Sequence, residues 1–127
     1  MKHAYSSKFI PPAPSIPVRL SVPEVAPQSE ALAALLDTGA DATLVGLNYL
    51  ERIGARQIGE RLVRGLWSGQ VAIAEFEIDI HIEGLTFPSI QVLANAEADE
   101  ILLGRNVLNK LALLLDGPHE ITETLER

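Results

Sequence analysis

Residues 75–83 read EFEIDIHIE, and the run alternates without a break: Phe76, Ile78, Ile80 and Ile82 are apolar, while Glu75, Glu77, Asp79, His81 and Glu83 are polar. A helix would scatter those four apolar side chains around its circumference. A strand puts them all on one face, so the spacing predicts a strand with one dry and one wet side. Glu83-Gly84 comes next as a turn and residues 85–93 return as a second strand, which makes the middle of the chain a β-meander.

The remaining punctuation points the same way. Residues 17–23 alternate as an edge strand would, 23–29 read as a loop, and 31–36 form a short apolar run. Leu47, Leu50 and Ile53 share one helical face before the stop at Gly54, and Val107, Leu108 and Leu111 repeat that spacing, so two short helices are expected. Residues 112–115 and 119–125 flank Asp116-Gly117-Pro118 as a last hairpin. Pro11, Pro12, Pro14 and Pro17 resist both helix and central strand, so residues 1–17 are expected as an extended arm and 18–127 as the folded domain. With 127 residues, 47% of them hydrophobic, the chain can build one core and has no room for a two-domain enzyme. A small closed or sandwiched all-β domain is the expected fold.

Charge and composition exclude several functions. Ten Lys and Arg face seventeen Asp and Glu, and a net charge of −7 without a basic cluster disfavours binding to a phosphate backbone, so no nucleic acid partner is expected. The absence of cysteine rules out disulfides, thiolate zinc sites and a cysteine nucleophile. The start MKHAYSSKFI lacks an apolar signal core, and no run approaches the roughly 18 apolar residues of a membrane span, so the sequence reads as that of a soluble cytoplasmic protein with no membrane partner. His3, His81 and His119 are scattered without metal-ligand spacing, and the acidic row Glu75, Glu77, Asp79 and Glu83 reads as a solvated strand face.

One position resists that accounting. In ALLDTGADATLV, residues 34–45, Asp37 ends an apolar run that has the look of a buried strand. A carboxylate among leucines is costly unless it is hydrogen-bonded or its chemistry is the reason for its presence. Asp37-Thr38-Gly39 suits such a purpose: the strand holds the carboxylate rigidly, Gly39 permits a sharp turn that brings amide donors close, and Thr38 offers a hydroxyl to neighbouring backbone. The plain alternative is that Asp37 only opens a turn, since Asp and Gly are common turn formers.

A second motif, Glu100-Ile101-Leu102-Leu103-Gly104-Arg105-Asn106-Val107-Leu108, changes the balance. Together the two segments resemble the retropepsins, the single-domain aspartic proteases of retroviruses and their bacterial relatives, over residues 18–115. In that family a hydrophobic-hydrophobic-Gly run lies downstream of the D-[TS]-G-[AS] strand, and here Leu102-Leu103-Gly104 fills that place. The resemblance implies a retropepsin-like closed β-barrel or sandwich half with a flap hairpin, the flap falling on residues 64–70, and one or two short helices. It implies an aspartic endopeptidase that needs no metal and no cofactor.

That chemistry uses two aspartates sharing one proton, because like charges so close cannot both ionise. Asp41, Asp79, Asp99 and Asp116 are not followed by Thr/Ser-Gly, so the chain has one such motif and the partner aspartate is expected from a second copy across a twofold axis. The resemblance makes Asp37, Thr38 and Gly39 catalytic and implies a peptide or protein substrate. It places Ala40, Asp41, Ala42, Trp67, Ser68 and Gly69 at the substrate, and Leu103, Gly104, Arg105 and Asn106 behind the catalytic loop. Asp41 is expected to pair with Arg105. Ala42 departs from the retroviral pattern, where a second acidic residue often stands. Trp67 either packs over substrate or caps the core. The competing reading is a catalytically weak dimerisation or peptide-binding module on the same fold.

Overall fold

The computed structural model describes residues 1–64 and 69–126. It is all-β with few helical turns. The strands are β1 (Lys2–Ala4), β2 (Ser15–Ser21), β3 (Leu32–Leu36), β4 (Thr43–Gly46), β5 (Gln57–Arg64), β6 (Gln70–Ile82), β7 (Leu85–Asn95), β8 (Ile101–Leu103), β9 (Ala112–Asp116) and β10 (Ile121–Leu125); the helices are α1 (Leu47–Arg52) and α2 (Arg105–Leu108). Strands run in the order β2-β3-β8-β4-β7-β6, and pairing of β2 with β6 closes them into a six-stranded barrel, with β5 attached outside β6. A separate sheet, β1-β10-β9, gathers the two ends of the chain. Among the described residues no helix is long and apolar enough to cross a membrane.

Alternation builds the core. Ile16, Val18 and Leu20 of β2 and Ile78, Ile80 and Ile82 of β6 point inward and are almost fully buried, joined by Val45, Leu50, Val92, Ile101, Leu103 and Val107. Burying each such side chain stabilises the fold by about 1.5–3 kcal/mol. The meander forms as expected, and Ile82 pairs with Leu85 around Glu83-Gly84, whose φ angles of 53° and 79° are those of a tight hairpin turn.

Three sequence expectations are corrected. β2 is not an edge strand: residues 15–18 pair with β3 and residues 19–21 with β6, and this division lets Pro17, which cannot donate on one side, sit within it. The segment before Pro17 does not stand apart from the domain, since β1 pairs with β10 and β2 starts at Ser15. The acidic row is only in part a wet face. Asp79 and His81 are buried, because β2 closes over that half of β6 and the loop after it folds across. The Asp79 carboxylate accepts the N–H groups of Glu24 and Ser89, both at 2.9 Å and both residues at positive φ, so it pins two tight turns. His81 bridges Ser21 and Thr86 at 2.8 and 3.0 Å, Glu75 pairs with Arg61 at 2.8 Å, and Glu83 meets His3 at 2.7 Å.

Candidate active site

β3 and β4 flank β8, the first parallel to it and the second antiparallel. The connection between them, residues 37–42, must therefore cross over the C-terminal end of β8. Asp37 is the first residue of that crossing. Its N–H donates to the Leu103 carbonyl at 3.0 Å, which extends the β3–β8 ladder by one rung and fixes the backbone that carries the carboxylate. The Gly39 N–H then donates to Asp37 Oδ1 at 2.9 Å, and the Ala40 N–H to the Asp37 carbonyl at 3.2 Å. A Cβ on Gly39 would lie 3.2 Å from Oδ1, so a side chain there would press on the atom that the turn is built around. Asp37 is half-buried, and among the described residues no donor reaches Oδ2 and no cation pairs with the carboxylate. One oxygen is held and the other is left open.

The crossing rests on Gly104 and α2, immediately after β8. Gly104 lies beneath it, so tightly that a Cβ would fall on the Ala42 carbonyl oxygen and 3.0 Å from that of Ala40. Only glycine fits, and the reason is contact rather than backbone angle, since its φ is −90°. Arg105 holds the loop twice: its N–H donates to the Ala40 carbonyl and its guanidinium to the Thr38 carbonyl, both at 2.8 Å. Below these, buried Thr43 donates its hydroxyl to Asn106 Oδ1 at 2.6 Å and accepts the Gly104 N–H at 3.0 Å, while Asn106 Nδ2 donates to the Gln91 carbonyl at 3.0 Å. Loop, β4, β7 and α2 are thus joined through one polar cluster.

Leu103, Gly104, Arg105 and Asn106 therefore all stand behind Asp37, Thr38 and Gly39. The expected ion pair between Asp41 and Arg105 is absent among the described residues: Arg105 is committed to the Thr38 carbonyl and Asp41 is exposed. Ala40 is half-buried and Ala42 is buried against Gly104. Gly69 is exposed at φ 73°, next to the last described pair of the β5–β6 hairpin, Arg64 with Gln70. Trp67 and Ser68, also expected at the substrate, lie outside the described residues. Sequence reasoning missed Thr43; its only signal was a hydroxyl at the start of the apolar stretch Thr43-Leu44-Val45. Among the described residues, Asp37 lines neither the groove of about 570 Å³ beside Pro17 and His81 nor the one of about 830 Å³ beside Phe87 and Leu111.

The fold has counterparts among solved structures. The EIAV protease, solved with the inhibitor HBY-793, superposes with a TM-score of 0.60 at 22% identity over 85% of this chain and 93% of that one. The simian foamy virus protease gives 0.57 at 22% identity, covering 76% and 92%. A retropepsin-like aspartic protease from Rickettsia conorii gives 0.67 at 15% identity, covering 98% of this chain and 88% of that one. No curated protein sequence matches. The family model for retroviral aspartyl proteases matches residues 12–116, which contain both the Asp37 loop and its Gly104 support, and the chain belongs to that family.

Proposed function

We propose that this protein is an aspartic endopeptidase that works as a homodimer, each chain supplying one Asp37 to a shared site. The observation that carries this is the state of the Asp37 carboxylate: rigid backbone on the β3–β8 ladder, Oδ1 held by Gly39, Oδ2 without a donor among the described residues, and no second motif of the kind in the chain. Two such groups facing each other across a twofold axis hold one proton between them. The ionised member takes a proton from a water as its oxygen attacks the peptide carbonyl carbon, and the protonated member donates to the carbonyl oxygen. The resulting diol collapses with proton transfer to the leaving nitrogen, which yields a carboxylate and an amine. In this reading exposed Thr38, next to Asp37, bonds to the partner's loop.

The substrate in this reading is an extended peptide lying along the loop at Ala40, Asp41 and Ala42 and covered by the β5–β6 hairpin beside Gly69, with Trp67 and Ser68, outside the described residues, as further substrate contacts. Glycine at positive φ beside that hairpin gives the cover room to bend.

Cleavage of a peptide library by the purified chain tests the proposal. Asp37→Asn, nearly isosteric but unable to share the proton, is expected to abolish turnover while the fold and the dimer remain. Turnover retained in the Asn variant overturns it, and a stable dimer that cleaves nothing in the library points to the binding-module reading.

A further inference from the structure

Two grooves that share His3, Pro17 and Ala31 form one trough across the outside of the barrel. The first, of about 570 Å³, reaches Arg19, His81 and Thr86, and the second, of about 380 Å³, reaches Lys2, Ser15 and Ala33. Its floor is the outer face of β2. Ile16, Val18 and Leu20 turn into the core, so Ser15, Pro17 and Arg19 turn the other way, and Pro17, Ala31 and Ala33 carry too little side chain to fill the space above them. β2 has seven residues, so the trough runs for roughly 23 Å, room for an extended segment of about seven residues.

β1 makes one wall of the trough and offers it an open edge. The Thr124 N–H donates to the Met1 carbonyl and the Tyr5 N–H to the Glu120 carbonyl, both at 2.8 Å, so the odd-numbered residues of this stretch bond to β10. Lys2 and Ala4, between them, aim their N–H and C=O groups the other way, where no partner stands among the described residues. Such an edge is a template for one more strand.

Charge decides which strand. The chain carries −7 overall, yet the charged groups along the trough are Lys2, His3, Arg19 and Glu83. Glu83 is engaged by His3 and by the Thr124 hydroxyl, both at 2.7 Å, whereas Lys2 and Arg19 form no ion pair among the described residues. A strand added to β1 follows its alternation: residues beside His3 face the floor at Pro17 and Ala33, and residues beside Lys2 face solvent and its ammonium group. Apolar side chains suit the first set and carboxylates the second. Another β1, Lys2-His3-Ala4, brings no carboxylate and does not fit.

We propose that the trough docks an extended segment of a partner protein in which apolar and acidic residues alternate, added as a strand to the open edge of β1. The docking is separate from the chemistry proposed for Asp37, which lines neither groove.

Fluorescence anisotropy of the full chain with labelled peptides of about seven residues tests it, one alternating valine with aspartate and one alternating valine with lysine. The acidic peptide is expected to bind saturably, about tenfold or more tighter than the basic one, and to weaken as salt rises. Lys2→Glu reverses an exposed charge and Ala33→Phe fills the trough; each is expected to weaken binding by about tenfold while the far-ultraviolet spectrum stays that of the folded chain. Ala4→Pro removes an outward N–H without removing a bond to β10 and should also weaken binding. Asp37→Asn should leave the affinity unchanged. Absence of saturable binding, equal affinity for the two peptides, or an affinity indifferent to both Lys2→Glu and Ala33→Phe overturns the proposal. Binding lost in Asp37→Asn assigns the peptide to the Asp37 loop and overturns it as well.

Discussion

Thr43 donates its hydroxyl to Asn106 Oδ1 at 2.6 Å from a site with no solvent exposure, and the same oxygen accepts the Gly104 N–H. One hydroxyl thus ties the strand after the Asp37 loop to the glycine beneath that loop and to the helix behind it. Thr43→Val keeps the shape and removes both bonds, leaving the buried Gly104 N–H and the half-buried Asn106 amide oxygen without these partners. The expected loss of stability is about 1–3 kcal/mol. Urea unfolding of the two forms measures it, and equal midpoints would mean that the cluster adds nothing.

Gly104→Ala places a methyl group against the Ala42 carbonyl, which is backbone and cannot swing away. Overpacking of this kind costs about 1–3 kcal/mol and sometimes more. The strain falls on residues 40–42, so peptide cleavage should drop further than the melting temperature suggests. Wild-type turnover in Gly104→Ala would show that the loop tolerates displacement.

Arg105 and Asp41 should behave independently. Arg105→Ala removes the guanidinium bond to the Thr38 carbonyl, worth about 0.5–1.5 kcal/mol, and should speed hydrogen exchange at the Gly39 and Ala40 amides. Asp41→Asn, at an exposed position with no partner among the described residues, should change stability by no more than about 0.5 kcal/mol. Coupling between the two in a double-mutant cycle would restore the ion pair that the sequence suggested.

Glu83 anchors the terminal sheet to the barrel, accepting from His3 at 2.7 Å and from the Thr124 hydroxyl at 2.7 Å. Burial would raise its pKa, but these bonds and the positive charges of the amino terminus and His3 together outweigh it and hold the carboxyl below the ordinary 4.5. A carboxyl depressed in the folded state contributes stability above its unfolded pKa and loses it as pH falls through the folded one. Wild type should therefore exceed Glu83→Gln in stability at neutral pH, with the gap closing below pH 4.5. Urea midpoints taken across that range decide it, and a gap that widens in acid would reverse the assignment.

Local pattern alone determined much of this protein. Two-residue alternation places Phe76, Ile78, Ile80 and Ile82 on one face whatever the strand pairs with, and glycine before or after a short apolar helical repeat marks α1 and α2, so the all-β character and the meander were legible. The two motifs identified the family's residues for the same reason, since each is a contiguous string. Tertiary structure decided which of those residues meet. β8 lies between β3 and β4, a relationship of segments far apart in sequence, and it dictates the crossing loop, the need for Gly104 under Ala42 and the value of Thr43. Asp79 and Glu77 look alike in a strand of alternating pattern, yet closure by β2 buries the first against two backbone N–H groups and leaves the second only half-buried. The sequence offered Asp41 as the partner of Arg105, and the fold of the loop gave it the Thr38 carbonyl instead. Pattern along a chain reports which face is dry, because that depends on near neighbours. Partners across a closed barrel depend on how distant strands are ordered, which no local pattern encodes.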